Sequence, residues 1–336
     1  MMEEIRFLEV FMDQINKCNL RCRMCAFSDE RVRGLKKVEM EYWVFEKIAK
    51  EIFPYASYLA LSCLTEPLLL KDLQERLKLV KEMRVPVSEL ITNGVLLDKK
   101  IIISFIENRL TRLGISLDGA KKETYESIRV GASFNKVIEN LKLLNKLKEE
   151  FKSDYPKLRL LMVLSEKNID EFYAFLNLAE EFNASFIDIR TITPFKGAKD
   201  RGFYEEKYFL KIKEYKLFLK KWCKEKGIED LGYLRESPER VELFDEKGNK
   251  IYCKRPFNTV AIHPNGDINP CMTWMRKPLG NIKNQSFKEI WESEYARKLR
   301  EEFEEKKPGI DCQFCEIKKE YEGQEEDGFF KMLSKE

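Results

Sequence analysis

The chain has 336 residues, a length that fits about two domains. Its 61 basic and 58 acidic residues leave a net charge of +3, which argues against a dedicated nucleic-acid-binding protein because such proteins usually carry a marked basic excess. The apolar runs are far shorter than the roughly 18 residues of a membrane span, and the N-terminus lacks the pattern of a secretory signal. We therefore expect a cytoplasmic protein with no nucleic-acid partner and no membrane partner.

Strand and helix patterns alternate along the first two thirds of the chain. Amphipathic stretches such as 42–53 and 134–150 predict helices, and six apolar stretches predict strands. Parallel strands need crossover connections, so this alternation predicts a parallel sheet covered by helices. Six units are fewer than a closed TIM barrel has, which favours a partial barrel or an open doubly wound sheet. The predicted strands cover residues 5–13, 58–63, 87–92, 112–119, 158–165 and 186–195.

The pattern changes after about residue 230. The stretches 243–253 and 258–271 predict β-hairpins, the second with a strong Pro-Asn-Gly-Asp turn signal. A helix is predicted over 286–305, with Ser286 as its N-cap and Glu289 completing a capping box. We predict a partial barrel over 1–200, a helical connection over 201–245, a small cysteine-rich domain over 246–320 and a C-terminal tail over 321–336.

Polar residues follow four of the predicted strands in succession. In parallel α/β folds, ligands bind at the carboxyl ends of the strands. Asn-Gly or Asp-Gly alone indicates only a turn, but polar residues at four neighbouring strand ends predict one common site. These residues are Cys18, Cys22 and Cys25 after the first strand, Glu66 after the second, Thr92, Asn93 and Gly94 after the third, and Ser116 and Asp118 after the fourth.

Cys18, Cys22 and Cys25 place three thiols within eight residues of sequence. Thiols stay reduced in the cytoplasm, so clustered cysteines there indicate metal binding or redox chemistry rather than disulfides. A structural zinc site closes with four ligands, and the single histidine of the chain, His263, is distant in sequence. Three thiolates with C-x3-C-x2-C spacing therefore favour an iron–sulfur cluster with one iron left open for a small molecule.

The chain resembles the radical S-adenosylmethionine superfamily over most of its length. The resemblance implies an α/β fold with a partial (β/α)6 TIM-like barrel and a 4Fe–4S cluster on the three clustered cysteines. It also implies that S-adenosylmethionine binds the open iron and yields a 5′-deoxyadenosyl radical that abstracts hydrogen from a substrate. The resemblance is carried by CNLRCRMC at 18–25, TEPLL at 65–69, TNGVLL at 92–97, ISLDGAKKETYESIRVG at 115–131 and the cysteine-rich end.

Two cofactor contacts implied by the resemblance lie in the first half of the barrel. Met24 would contact the adenine from within the cysteine loop, and Glu66 would accept a hydrogen bond from the amino group of the cofactor. The family's usual Gly-Gly-Glu-Pro is Leu64-Thr65-Glu66-Pro67 here. Side chains therefore stand where the backbone normally passes close to the cofactor.

Four further residues complete the implied cofactor pocket. Ser116 and Arg129 would hold the ribose and the carboxylate of the cofactor, since a guanidinium suits the bidentate geometry of a carboxylate. Asn93 and Asp118 would shape the wall of the pocket. An external electron donor such as flavodoxin or ferredoxin is also implied.

A second cysteine set lies near the C-terminus. The hairpins, LGNIKNQSFKEIW at 279–291 and a closing C-x2-C resemble the SPASM/twitch extension of the superfamily, which implies an auxiliary 4Fe–4S cluster. Zinc is the alternative on spacing alone. Four cysteines leave no open iron, so this cluster would carry an electron rather than bind substrate, which favours a net two-electron oxidation or an oxidative ring closure. The four cysteines are Cys253, Cys271, Cys312 and Cys315.

Five other residues have roles that the sequence leaves open. Cys63 ends the second strand near the expected cofactor, but a buried cysteine is more often a packing residue, as we expect for Cys223. His263 precedes a turn and is interpreted as structural or exposed. Arg190 is expected either to point into the barrel or to form a core salt bridge, and Trp274 either to shield the second cluster or to pack.

Three functions fit these observations. The leading interpretation is a radical enzyme that oxidises a small polar metabolite, such as an alcohol or amino-sugar dehydrogenase. The second is a maturase that modifies a peptide, although the N-terminal recognition domain of several such enzymes is not expected because the chain begins at its first strand. The third is a non-catalytic zinc-binding scaffold, which the intact cysteine loop and Glu66 argue against.

Overall fold

The computed structural model describes residues 6–192, 206–232, 234, 253–272 and 277–305. The strands in these ranges are β1 (Leu8–Met12), β2 (Ala56–Ala60), β3 (Val87–Thr92), β4 (Arg112–Ser116), β5 (Lys157–Leu164), β6 (Phe186–Thr191), β7 (Glu229–Asp230), β8 (Thr259–Ile262), β9 (Asp267–Asn269) and β10 (Gly280–Asn281). The helices are α1 (Glu30–Gly34), α2 (Tyr42–Glu51), α3 (Leu73–Glu82), α4 (Lys99–Glu107), α5 (Lys122–Ile128), α6 (Phe134–Glu150), α7 (Phe172–Glu181), α8 (Glu206–Lys226), α9 (Arg255–Asn258), α10 (Phe287–Trp291) and α11 (Glu294–Glu304).

The strands form one mostly parallel sheet in the order β10-β9-β8-β1-β2-β3-β4-β5-β6-β7. Strands β1 to β6 are parallel and stand in chain order, as in a barrel. A doubly wound sheet would instead reverse its direction at a switch point. The partial (β/α)6 barrel is therefore confirmed, and the open doubly wound alternative is excluded.

The second of the two predicted hairpins is confirmed as β8 and β9, which pair antiparallel. It does not form a separate sheet, because β8 also pairs in parallel with β1, from Glu9 opposite Thr259 to Met12 opposite Ile262. The C-terminal hairpin thus extends the open edge of the barrel sheet. The first predicted hairpin, over 243–253, lies almost wholly outside the described residues.

The two faces of the barrel sheet differ in chemistry. The side chains that face the helices are apolar and fully buried, among them Leu113 and Leu160. The opposite face, called here the inner face, carries the buried charged residues Glu89, Arg159 and Asp188. Because successive side chains of a strand point to opposite faces, each strand contributes to both surfaces.

Helix packing follows the predicted periodicity. In α6 the buried residues Val137, Leu141 and Leu144 form one apolar stripe. The capping box of Ser286 and Glu289 is present at the start of α10. The prediction of a single helix over 286–305 is wrong, however.

Two helices, α10 and α11, replace that predicted helix. The hydroxyl of Ser293 accepts a hydrogen bond from the backbone N–H of Ala296 and starts α11 as a new N-cap. The longest helix in the described ranges, α8, has 21 residues and is rich in lysine. Throughout the described part of the chain, helices that combine the length and the apolarity of a membrane span are absent.

Candidate cofactor site at the carboxyl end of the barrel strands

The loop that follows β1 carries the three clustered cysteines. The backbone N–H groups of Arg21 and Arg23 donate to the carbonyls of Val130 and Ile128 at 3.0 and 2.9 Å. These bonds fasten the loop to the last residue of α5 and to the segment that follows it. Gly131, with φ of +95°, adopts a conformation that favours glycine where this segment passes the loop.

The three thiols of this loop are buried or half-buried and are not in disulfides. Burial raises the pKa of Cys18 to about 11, that of Cys22 to about 12, and that of Cys25 as well. Metal ligation requires thiolates, so a bound metal would have to displace these protons and supply compensating positive charge.

The donor set of this loop, three thiols, consists of the soft ligands that iron–sulfur clusters take. In a four-iron cluster each thiolate binds a different iron, so the thiols need not converge on one point. Three thiols on one loop would hold such a cluster and leave its fourth iron without a protein ligand.

An ion pair lies directly beside the cysteine loop. The Nε atom of Arg129 is 2.7 Å from Oδ2 of Asp118, and its Nη1 is 3.9 Å from Sγ of Cys22. Burial lowers the pKa of Arg129, but the charge of Asp118 and the neighbouring Cys22 and Tyr125 together outweigh burial and raise it. Asp118 also accepts the backbone N–H of Val163 at 2.7 Å, so both of its oxygens are engaged.

Glu66 joins the ends of β2 and β3 to the cysteine loop. Its Oε1 accepts the hydroxyl of Thr92 at 2.6 Å and the N–H of Leu68 at 3.1 Å, and its Oε2 accepts the N–H of Asn93 at 2.9 Å. The N–H of Glu66 donates to the carbonyl of Lys17 at 3.0 Å. Burial raises the pKa of this carboxyl group, whereas the three donors oppose that rise.

Asn93 makes a second connection to the cysteine loop. Its Nδ2 donates to Oδ1 of Asn19 at 2.8 Å. Met24 and Ser116 are half-buried, Met24 within the loop and Ser116 at the end of β4. The structure therefore brings the predicted residues of the first four strand ends to one edge of the sheet.

Asp13, directly after β1, belongs to this site although the sequence reasoning missed it. Its Oδ1 accepts the N–H groups of Cys63 and Leu64 and the hydroxyl of Thr65, at 3.0, 3.1 and 2.7 Å. Thr65 occupies a position where the family usually has glycine, and its side chain turns to Asp13. The sequence did carry a signal for Asp13, because a carboxylate immediately after the first strand indicates a residue at the ligand-binding end of the sheet.

Tyr125 is the second residue that the sequence reasoning missed. Its side chain is fully buried, and its hydroxyl has no hydrogen-bond partner among the described residues. Burial raises its pKa, and the charges that act on it are those of Arg129, Asp118 and Cys22. An orphaned buried hydroxyl beside the cysteine loop agrees with a site that receives a further group.

The described cysteines of the second set lie at one end of the hairpin. Cys253 precedes α9 and β8, and Cys271 follows β9 by two residues. Because β8 and β9 are antiparallel, Cys271 lies towards the amino end of β8, and Cys253 precedes that same end in the chain, before α9. Cys312, Cys315 and Trp274 are outside the described residues.

The remaining candidates have plain structural surroundings. The thiol of Cys63 is 3.9 Å from the carbonyl of Met12, and Cys223 is buried in the main core, as expected for packing residues. His263 starts the hairpin turn, with Nε2 2.8 Å from Nδ2 of Asn269. Two alternatives were predicted for Arg190, a side chain that points into the barrel and a core salt bridge. Arg190 lies on the inner face and pairs with the buried Asp188, so each alternative is correct in part.

Fold and site together define an α/β partial barrel with an open three-cysteine loop at the carboxyl end of its strands. The family model of the radical SAM superfamily matches residues 14–179, and that of the SPASM iron–sulfur cluster-binding domain matches residues 253–316. The chain therefore belongs to the radical SAM superfamily and carries a SPASM domain. These domains imply a 4Fe–4S cluster, an auxiliary cluster and S-adenosylmethionine.

Curated relatives have several activities. An AdoMet-dependent heme synthase of Methanosarcina barkeri is 27% identical over 253 residues, which is 68% of this chain and 66% of the synthase. A probable GTP 3′,8-cyclase of Saccharolobus islandicus is 24% identical over 257 residues, 76% of this chain and 79% of the cyclase. The chain thus spans slightly less than two thirds of the synthase and more of the cyclase.

Among solved structures, SuiB of Streptococcus suis has a similar fold. The form bound to S-adenosylmethionine gives a TM-score of 0.63 at 13% identity, covering 85% of this chain and 66% of SuiB. The form bound to the precursor peptide SuiA gives 0.64 at 13% identity, covering 87% and 66%. At this identity the likeness shows the fold alone.

Proposed function

We propose that this radical SAM enzyme catalyses the net two-electron oxidation of a small polar metabolite, in the manner of a dehydrogenase. A cluster held by Cys18, Cys22 and Cys25 would supply the electron for reductive cleavage of S-adenosylmethionine, and this chemistry would remove one hydrogen atom from the substrate. The substrate must then lose one further electron and one proton. The second cysteine site would accept that electron.

The observation that carries this proposal is that the two cysteine sites lie at opposite ends of one pair of neighbouring strands, β1 and β8. The cysteine loop leaves the carboxyl end of β1, and Cys253 and Cys271 lie towards the amino end of β8, the strand paired with β1. A strand rises about 3.3 Å per residue, so the four paired residues of β1 and β8, with three rises between them, put roughly 10 Å of paired strand between the two sites. A site at the far end of the strand suits an electron acceptor better than a substrate ligand.

The cofactor contacts are proposed as follows. Glu66 receives the amino group of the cofactor, Arg129 its carboxylate and Ser116 its ribose, while Met24 contacts the adenine. Asp118 and Asn93 act through others: Asp118 holds Arg129, and Asn93 holds the cysteine loop through Asn19.

An acidic one-electron carrier such as flavodoxin or ferredoxin is proposed as the electron donor. Residues 17–37, which include the cysteine loop, contain seven basic and two acidic residues. Charge complementarity of this kind accelerates association more than it raises affinity, and it weakens with added salt.

Peptide modification is the second candidate, since SuiB, which has a similar fold, is known with its precursor peptide bound. A peptide substrate and a small metabolite predict different stimulation of 5′-deoxyadenosine release. The dehydrogenase proposal expects release to rise with candidate alcohols or amino sugars and not with short peptides.

The experiment that tests the electron-acceptor role combines anaerobic reconstitution with Cys271→Ala, and Cys223→Ala serves as a control at a packing cysteine. Two 4Fe–4S clusters correspond to about eight irons per chain, and we expect about four in Cys271→Ala. The variant should still cleave S-adenosylmethionine after reduction by dithionite but should form no oxidised product. Full product formation by Cys271→Ala would contradict the proposal, and a zinc-containing second site would remove its electron acceptor.

A further inference from the structure

A polar network on the inner face of the barrel takes no part in the cofactor contacts above. Tyr58 on β2 donates to Glu89 on β3, and Arg159 on β5 bonds Glu89 through Nη1 at 2.7 Å and Asp188 on β6 through Nη2. Arg190, also on β6, bonds the other oxygen of Asp188 through Nε at 2.6 Å. The network therefore runs from β2 to β6 and ends at Arg190.

Arg190 differs from the other members because it is accessible. Its side chain is 54% exposed, whereas those of Glu89, Arg159 and Asp188 are buried. Only its Nε is engaged, and neither Nη group has a partner among the described residues. Arg31 is exposed to nearly the same extent, 53%, but it binds Asp29 through both Nε and Nη2.

Arg190 stands level with the cofactor site. It lies two residues beyond Asp188 towards the carboxyl end of β6, in register with Val163 of β5. The N–H of Val163 is the donor that holds Asp118, and Asp118 holds Arg129. Arg190 is thus on the inner face, at the same rim as the cofactor residues and two strands from Ser116.

The inner face is tightly packed at Gly114, beneath this rim. Gly114 on β4 has no side chain, and Ile91 and Leu161 close over it so tightly that a Cβ there would lie 3.0 Å from each. A molecule that enters from the carboxyl end would meet this apolar floor. Arg190, on β6 at the same rim, would stand beside such a molecule.

We propose that Arg190 binds an anionic group of the substrate, a carboxylate or a phosphate. This inference rests on the proposed function, because it assigns the barrel mouth to a small-molecule substrate. A guanidinium binds such groups through two parallel N–H donors, and here Asp188 fixes its orientation from the opposite edge. Arg159 holds Asp188 in turn, so the donor pair is positioned before the substrate arrives.

The alternative role of Arg190 is merely to neutralise the buried Asp188. The two roles require different features of the side chain. A counter-ion needs only a positive charge, whereas an anion site also needs the two Nη groups as hydrogen-bond donors. Chemical modification of arginines separates them without knowledge of the natural substrate. Phenylglyoxal reacts with accessible guanidinium groups, and a bound anion protects the group it covers.

The test treats the anaerobically reconstituted full chain with phenylglyoxal and follows each arginine by peptide mass spectrometry. We expect millimolar phosphate or succinate to slow modification of Arg190 severalfold, relative to sodium chloride at equal ionic strength, and to leave Arg31 unchanged. Protection by phosphate alone would assign a phosphorylated substrate, and protection by succinate alone a carboxylate. Equal rates with and without the anions, equal protection of Arg31, or an unreactive Arg190 would each overturn the proposal.

Arg190→Lys provides the second readout. Lysine keeps a positive charge beside Asp188 but lacks the planar fork, so the counter-ion role predicts an unchanged response to anions. We expect the variant to keep the iron content and melting temperature of the unsubstituted protein and to lose the rise in melting temperature caused by the protecting anion. Neither readout depends on cleavage of S-adenosylmethionine, so failure of the proposed reaction would leave this test interpretable.

Discussion

The cysteine loop after β1 holds its three thiols within eight residues, whereas the cysteines of the second site extend from Cys253 to Cys315, over 63 residues. The first loop is fastened by hydrogen bonds to the last residue of α5, to the segment that follows it and to Glu66. The described half of the second site relies on the antiparallel pairing of β8 with β9 to bring its cysteines to one end. The ligands of the first site come from one loop, whereas the ligands of the second site come from distant segments that the completed sheet must bring together.

This difference predicts that a substitution can abolish the cluster of the first site while the cluster of the second site still assembles. Cys22→Ala should abolish 5′-deoxyadenosine formation, because two thiolates do not hold the cluster that binds S-adenosylmethionine. Iron should fall from about eight to about four per chain if the SPASM site still assembles. Iron and sulfide analysis, together with electron paramagnetic resonance of the reduced protein, measures both quantities.

Cys63→Ala is the matched control for that variant, since Cys63 is a thiol in the loop after β2 that lies 3.9 Å from the carbonyl of Met12 at the end of β1. It should retain both clusters and S-adenosylmethionine cleavage. Loss of all iron from Cys22→Ala would mean that the two sites assemble together, and the contrast between a local and a distributed site would then be wrong.

Glu66→Gln tests whether the hydrogen bonds around the first site serve the cofactor. All three bonds to the Glu66 carboxylate come from donors, so the amide nitrogen of glutamine must face one of them. We expect a destabilisation of about 1–3 kcal/mol from the unsatisfied donor. Affinity for S-adenosylmethionine, measured by calorimetry on the reconstituted protein, should fall by about tenfold to a hundredfold because a charged acceptor is lost.

Glu171→Gln is a close control for this substitution. Glu171 also accepts two backbone N–H groups, from Ala120 and Lys121, and one hydroxyl, from Thr124. It should lose a similar amount of stability with at most a small change in cofactor affinity. Equal losses of affinity in the two variants would show that Glu66 has only a structural role.

Sequence patterns predicted the parallel sheet and the position of the cysteine loop, because strand and helix periodicity and cysteine spacing are read from residues close together in the chain. The patterns left a partial barrel and an open doubly wound sheet as alternatives, and the family resemblance favoured the barrel. Cys18, Cys22 and Cys25 are readable from spacing alone, and Ser286 with Glu289 forms a complete local capping box. The break at Ser293 was missed because its cap is a single hydroxyl without the reciprocal acid.

What sequence reasoning missed depends on contacts between distant segments. Nothing in the β8 segment indicates that β1 is its partner, since an edge pairing is made by backbone atoms. Asp13 gains its importance from Thr65, and Tyr125 from Cys22, and in both pairs only the fold brings the partners near each other. The ligands of the SPASM site are also far apart in the chain, so cysteine spacing indicates that site less clearly than it indicates the first.

Asp13→Asn should have the smallest effect, because asparagine can keep one oxygen towards the donors of Cys63, Leu64 and Thr65. Its amide nitrogen would then replace Oδ2, which lies 3.2 Å from the N–H of Leu64, so one weak acceptor is lost. We expect about 0.5–1.5 kcal/mol of destabilisation, seen as a drop of a few degrees in melting temperature.

Thr65→Val removes the partner hydroxyl without changing the shape of the side chain, and it completes a double-mutant cycle with Asp13→Asn. If Asp13 acts by holding Thr65 away from the cofactor, the two substitutions should couple, and the double variant should lose less than the sum of the single losses. Cofactor affinity should fall severalfold in each single variant, while the iron of the second site stays constant. Strict additivity, or loss of iron from the second site, would show that Asp13 supports the whole sheet edge rather than the cofactor loop, because β1 is the strand that both sites share.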